Sequence, residues 1–276
     1  VSNDFLASMA ASSRRRVEEA RRLHGDSEIW RWAESSPSPS RLLLSEQGFD
    51  VIAEVKLRSP AVGQLKGGDE DVEARVTSYA RAGAAAVSVL TEPERFEGSL
   101  DHLEQAARAL QSAGRVPAMR KDFLVDPYQV AEARLAGAGG ILIIVRMLER
   151  RELDALIEAA AKLGLFVLVE TFDEADIRVA HELLDAHSGR GVPLLLGINS
   201  RDLVTLKVVP GRLEELVGLL PTGVPRVAES GVADAADAAR LARAGYEMAL
   251  IGSALMTAPD PAALLKDMIA AGRGAR

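Results

Sequence analysis

The sequence predicts an α/β protein, a single (β/α)8 barrel of the TIM-barrel type with an N-terminal helical extension, and three observations carry that prediction. Short aliphatic or β-branched runs alternate strictly with Ala-rich stretches whose apolar residues recur at spacings of three and four. The alternation repeats eight times, and no linker-like segment interrupts it. The chain has 276 residues, and one such barrel uses roughly 250. Strict alternation implies a parallel sheet covered on both faces. Eight units favour closure into a barrel; a doubly wound open sheet is the alternative.

In chain order, the predicted strands are 51–56, 85–90, 117–121, 141–145, 165–170, 194–199, 225–229 and 248–251. Helix starts are marked between them. Asp126-Pro127 and Asp260-Pro261 each place a capping side chain before a proline at the first helical position. Ser99, Asp173 and Asp234 are further N-cap candidates. Gly83, Gly114, Gly137, Gly164 and Gly245 stand where helices should end in a left-handed residue. Before the repeat, residues 4–23 read as a helix with Arg14, Arg15 and Arg16 on a solvated face, and residues 34–40 read as a loop. Residues 1–49 are too short to hold a core of their own, so they are expected to pack on the barrel formed by residues 50–276.

Composition narrows the function. Hydrophobic residues are 48% and charged residues 26%, an ordinary globular balance. The absence of cysteine excludes disulfides, thiolate metal sites and a cysteine nucleophile. A net charge of −7 without a long basic tract argues against nucleic acid. The apolar runs, such as 141–145, are too short to span a bilayer. No signal-peptide pattern is visible, and a cytoplasmic location is expected.

Side chains alternate faces along a strand. Ile52, Glu54 and Lys56 therefore share a face, as do Met119 and Lys121; Phe166, Leu168 and Glu170; Leu195, Gly197 and Asn199; and Val227 and Glu229. Each series begins apolar or small and finishes polar at the C-terminal end of its strand. Burying a charge costs several kcal/mol unless it is paired, and in this fold the C-terminal face carries the active site. The structural alternative is an ion-pair network that only caps the barrel.

Two loops suggest an anion seat. Glu229-Ser230-Gly231 follows the seventh strand and Ile251-Gly252-Ser253 follows the eighth. These are the loops that often hold phosphate in such barrels, with a short extra helix, here residues 253–257. Ser59, after the first strand, is placed to add a hydroxyl from the other side. Ordinary turn chemistry is the plainer alternative. None of His24, His102, His181 or His187 maps to a strand end, and lysines would compete with a metal for the carboxylates, so no metal is expected. Lysine serves as a general acid or, if its pKa is lowered, as a Schiff-base nucleophile, and glutamate serves as a base. The residues alone reach proton-transfer chemistry on a phosphorylated carbonyl or enamine, and no further.

The segments Ile52-Ala53-Glu54-Val55-Lys56-Leu57-Arg58-Ser59-Pro60, Met119-Arg120-Lys121-Asp122-Phe123, Leu168-Val169-Glu170, Gly197-Ile198-Asn199-Ser200-Arg201-Asp202-Leu203, Ala228-Glu229-Ser230-Gly231 and Leu250-Ile251-Gly252-Ser253 occur in one consistent order. Together they resemble the indole-3-glycerol phosphate synthase family. The resemblance implies ring closure, decarboxylation and dehydration of 1-(2-carboxyphenylamino)-1-deoxyribulose 5-phosphate in tryptophan biosynthesis, without metal or organic cofactor. It also implies the roles. Lys121 would be the general acid on the carbonyl. Lys56 would hold the carboxylate and assist proton transfer. Glu170 would be the base or acid of the dehydration. Glu54 would position the lysines and stabilise charge on the anilino nitrogen, while Asn199 and Glu229 would orient substrate hydroxyls and the lysines. Arg201 would hold the anthranilate end, and Leu90, Phe96 and Phe123 would line the ring pocket. Ser59, Ser230, Gly231, Gly252 and Ser253 would take the phosphate. The sequence departs from the family pattern at Ala61-Val62 and at Gly139-Gly140. A monomer acting on a phosphorylated small molecule is expected. A ketose–aldose isomerase, or a non-catalytic metabolite-binding barrel, is the competing reading; an isomerase has no need of Lys56 and Lys121 together.

Overall fold

The structure, a computed structural model, describes residues 2–60, 63–65 and 70–276; the Ala61-Val62 departure lies outside them. Eight parallel strands form the barrel: β1 (Asp50–Val55), β2 (Ala86–Leu90), β3 (Ala118–Lys121), β4 (Gly140–Ile144), β5 (Phe166–Thr171), β6 (Leu194–Asn199), β7 (Arg226–Glu229) and β8 (Met248–Ile251). Each pairs with its sequence neighbours, and β1 pairs with both β2 (Ile52↔Ala86) and β8 (Ile52↔Leu250), which closes the sheet and rules out the open alternative. The predicted strands are these eight, shifted at their ends by a residue or so. Lys56 falls just past β1, and Val145 begins a 3-10 turn, Val145–Met147, instead of ending β4.

The helices are α1 (Ser2–Leu23), α2 (Asp26–Ser35), α3 (Val72–Arg81), α4 (Pro93–Phe96), α5 (Leu100–Ser112), α6 (Pro127–Leu135), α7 (Arg150–Leu163), α8 (Glu174–His187), α9 (Arg212–Leu216), α10 (Ala235–Ala244), α11 (Ser253–Thr257) and α12 (Pro261–Gly274). Ser99, Asp126, Asp173, Asp234 and Asp260 all cap helices through their side chains, each cap worth about 1 kcal/mol. Gly164 and Gly245 end α7 and α10 with φ of 71° and 112°, a conformation that a Cβ would disfavour.

Apolar side chains divide into two layers. One packs strands against the surrounding helices; the other, including Ile52, Met119, Leu142, Phe166, Leu195 and Val227, fills the barrel. The Gly139-Gly140 departure has a packing reason. A Cβ at Gly140 would collide with the Phe166 ring, and one at Gly139 would collide with the Ser40 carbonyl.

Two expectations for the N-terminal segment are corrected. Residues 34 and 35 belong to α2, which stops at Ser35 ahead of Pro37; the loop starts at Ser36, whose N–H bonds the Ala33 carbonyl. Arg14 and Arg15 are exposed, but Arg16 is not on a solvated face: its guanidinium grips the Asp122 carboxylate with two hydrogen bonds of 2.9 and 2.8 Å. The buried Asp122 also accepts from the Thr91 hydroxyl at 2.7 Å, Arg120 at 3.2 Å and the Phe123 N–H at 2.8 Å. This network ties α1 to the end of β3, one residue beyond Lys121.

Burial by itself would raise the Asp122 pKa, but Arg16 and Arg120 outweigh it and hold the carboxyl far below the ordinary range. A depressed pKa contributes stability above the ordinary aspartate value of about 3.9 and loses it as pH falls. Asp122→Asn is therefore expected to cost about 3–5 kcal/mol at neutral pH, the scale of breaking a buried ion pair. The difference from the unmodified protein should shrink below about pH 4, as read by urea unfolding across pH; a pH-independent difference would contradict the ion-pair account.

Candidate active site

The C-terminal ends of the strands surround a cavity of about 440 Å³. Every site residue anticipated from the sequence lines it: Glu54, Lys56, Lys121, Glu170, Asn199 and Glu229 at the strand ends; Leu90, Phe96, Phe123 and Arg201 around the side; and Ser59, Ser230, Gly231, Gly252 and Ser253 at the loops. Period-two alternation puts the charged groups on the inner face, and barrel closure makes the separate strand ends converge.

The charged groups form two linked pairs. Lys56 Nζ lies 2.7 Å from Glu54 Oε1, and Lys121 Nζ lies 3.9 Å from Glu170 Oε2. Asn199 donates its amide N–H to Glu170 Oε1, and its own Oδ1 accepts the Arg201 backbone N–H at 2.9 Å. Glycines make room for these groups. A Cβ at Gly197 would collide with Glu229 Oε1, and one at Gly252 would collide with Glu54 Oε1 and crowd Lys56 Nζ.

Electrostatics separate the roles. Burial would lower the Lys121 pKa, but Glu170, Glu54 and Glu229 reverse this and raise it, so Lys121 is an ammonium at neutral pH. Burial and then the Glu170 carboxylate push Glu229 well above the usual carboxylate range, against the opposing pull of Lys121. Glu229 is thereby favoured in its neutral form and able to donate a hydrogen bond. Burial lowers the Arg201 guanidinium, partly offset by Glu54.

A network that served only to cap the barrel should satisfy its own members. Here Glu54 Oε2, Glu170 Oε2 and both Glu229 oxygens are buried without a hydrogen-bond partner among the described residues. Those oxygens belong to residues that line the cavity, and their unspent hydrogen-bonding capacity favours a site that works on a ligand.

Sequence reasoning missed the cavity's roof. Phe5 and Leu6 of α1 line it, and Phe5 meets Phe123 edge-on with ring centroids 5.9 Å apart, while Phe96 lies 6.2 Å from Phe123 on another side. Leu203, Leu206 and Val208 from the loop after β6 add an apolar wall. Apolar residues on a helix or in a loop carry no local sign of which distant surface they cover, so neither group had a signal to find. Among the described residues, no group of three or more His, Asp or Glu side chains is arranged to hold a metal ion.

A closed (β/α)8 barrel with ammonium and carboxylate groups converging in its C-terminal cavity defines an acid–base barrel enzyme. The family model described as indole-3-glycerol phosphate synthase matches residues 6–268. An indole-3-glycerol phosphate synthase of Beutenbergia cavernae is 43% identical over 231 residues, covering 84% of this chain and 81% of that one. One from Opitutus terrae is 38% identical over 270 residues, 96% of this chain and 98% of that one. Among solved structures, the 3-hexulose-6-phosphate synthase of Salmonella typhimurium matches with a TM-score of 0.59 at 12% identity, over 82% of this chain and 100% of that one, a likeness of fold alone. The chain belongs to the indole-3-glycerol phosphate synthase family.

The raised pKa of Glu229 has a measurable sign. A group whose folded value is raised contributes stability that is complete below its ordinary value, about 4.3 for glutamate, and is lost as pH rises through the folded value. Glu229→Gln mimics the neutral form, so this variant should gain in stability relative to the unmodified protein as pH rises above the ordinary glutamate value of about 4.3. Denaturant unfolding at several pH values reads this directly, and a difference that stays flat above about pH 4.3 would show that Glu229 is ionised in the folded protein.

Proposed function

We propose that this chain is an active indole-3-glycerol phosphate synthase, a carboxy-lyase of tryptophan biosynthesis. The observation that carries the residue assignment is the Lys121 ammonium facing Glu170 across 3.9 Å, in the same cavity as the two glycine-bearing loops after β7 and β8. The substrate, 1-(2-carboxyphenylamino)-1-deoxyribulose 5-phosphate, carries an anion at each end. The Ser230-Gly231 and Gly252-Ser253 loops, with Ser59 opposite, suit the phosphate. Lys56 and Arg201 suit the carboxylate, and Leu90, Phe96 and Phe123 suit the aromatic ring. Anchoring both ends folds the ribulose chain over the ring, converting positioning into rate.

In this reading Lys121 protonates the carbonyl oxygen as the ring carbon attacks. A raised pKa supports an acid that arrives charged and disfavours Schiff-base attack, which needs the free amine. Loss of carbon dioxide from the tetrahedral ring carbon restores aromaticity. Glu170, held by Asn199, then takes the proton from the ring carbon beside the nitrogen as the neighbouring hydroxyl takes one from the Lys56 ammonium and leaves as water, which forms the new ring double bond. Glu54 holds Lys56, and a neutral Glu229 donates to a substrate hydroxyl. Residues 1–49 act as an extension of the barrel rather than a separate domain. The chain is read as a cytoplasmic monomer whose chemistry uses no metal; among the described residues no helix is long and apolar enough to cross a membrane.

Formation of indole-3-glycerol phosphate, followed by its fluorescence, tests the activity. Lys121→Met should lower kcat by about 10²–10⁴, the usual weight of a general acid, with an unchanged unfolding transition; near-normal turnover would remove its assignment. Glu170→Gln should lower kcat by a similar factor with KM nearly constant, whereas a loss confined to KM would make Glu170 a binding group. Dialysis against a strong chelator should leave the rate unchanged, and recovery on adding metal would reopen the carboxylates as a metal site.

A further inference from the structure

The loop after β6 supports the loop after β7, and Ser200 is where they meet. Ser200 is buried, at 1% exposure. Its backbone N–H donates to the Glu229 carbonyl at 2.9 Å, and its hydroxyl lies 3.1 Å from the Ser230 carbonyl and 3.3 Å from that of Glu229. The Glu229 carbonyl already has the backbone N–H, so the single hydroxyl proton finds its shorter acceptor at Ser230.

Ser230 and Gly231 are both left-handed, with φ of 68° and 76°. Glycine adopts this conformation freely; serine adopts it only when something holds it there. A trans peptide sets the carbonyl of one residue and the N–H of the next in opposite directions. Pinning the Ser230 carbonyl toward Ser200 therefore turns the Gly231 N–H away from Ser200; Ser230, Gly231 and Val232 line the cavity, and Ser200 does not. Val208, part of the cavity's apolar wall, packs closely against this loop: its Cγ1 would stand 3.0 Å from a Cβ at Gly231.

We propose that Ser200 is a positioning residue for the anion seat. Its hydroxyl clamps the Ser230 carbonyl and so aims the Gly231 N–H at the substrate phosphate. The proposal rests on the reading of the Ser230-Gly231 loop as a phosphate site. Ser200 touches neither the substrate nor the reacting groups, so its loss acts on binding and spares turnover.

The test is steady-state kinetics with inorganic phosphate as a competing anion. In the unmodified enzyme, phosphate should compete with substrate. Ser200→Ala should raise both KM and the phosphate inhibition constant about five-fold, the weight of one neutral hydrogen bond, with kcat within about two-fold. Ser200→Cys, close in size and a weak donor, should behave alike and serves if the alanine variant folds poorly. Ser200→Thr, which keeps the hydroxyl, should restore both constants. If phosphate competes normally but Ser200→Ala and Ser200→Cys leave both constants unchanged, the clamp is wrong and the phosphate seat stands. If phosphate fails to compete and Gly231→Ala leaves KM unaltered, the seat itself is wrong and the clamp falls with it. A joint fall in kcat and melting temperature that Ser200→Thr does not repair would reduce Ser200 to a packing residue and overturn the proposal.

Discussion

The site depends on one electrostatic constraint: three carboxyl groups crowd the polar end of a closed barrel, and the ammonium groups of Lys56 and Lys121 pair with two of them. Glu54, Glu170 and Glu229 are buried at that end. Lys56 takes Glu54 at 2.7 Å, whereas Lys121 faces Glu170 at 3.9 Å and is drawn by all three. The third carboxyl meets the crowding by favouring its proton. Buried like charges cannot all ionise without a large penalty, so the arrangement divides three similar residues into two that each face an ammonium group and one, Glu229, that favours its proton.

Space for this cluster comes from what is missing elsewhere. Gly197 and Gly252 sit beside the carboxyl groups of Glu229 and Glu54, and any side chain at either would force the cluster apart. Below them, Phe166, Met119 and Ile52 fill the barrel and exclude water from the floor. The lower layer therefore supplies stability, while the upper layer holds cavity-lining groups whose hydrogen-bonding capacity is left unused. The Arg16–Asp122 pair joins the extension to the same layer from outside, next to Lys121.

Much of this was legible in the sequence, because it is written in local periodicities. Eight aliphatic runs, five side-chain caps and the glycine helix ends each rest on interactions within a few residues. Alternation along each strand told which residues share a face, and their place at the C-terminal strand ends assigned Glu54, Lys121, Glu170, Asn199 and Glu229 to the barrel mouth. Arg16 was misjudged for the opposite reason. Its partner Asp122 is more than a hundred residues away, and a basic run on an amphipathic helix looks solvated until the surface it faces is known.

By itself, then, the sequence determined the repeating unit, the strand faces and the chemical character of the groups at the strand ends, since these follow from backbone periodicity and side-chain type. Only the tertiary structure decided which groups meet: that Lys121 reaches Glu170, that Phe5 roofs the cavity, that Gly197 leaves room for Glu229, and that Ser200 braces the neighbouring loop. Those outcomes depend on closing the sheet and on where distant segments come to rest, and distances through space between remote residues have no local signature along the chain.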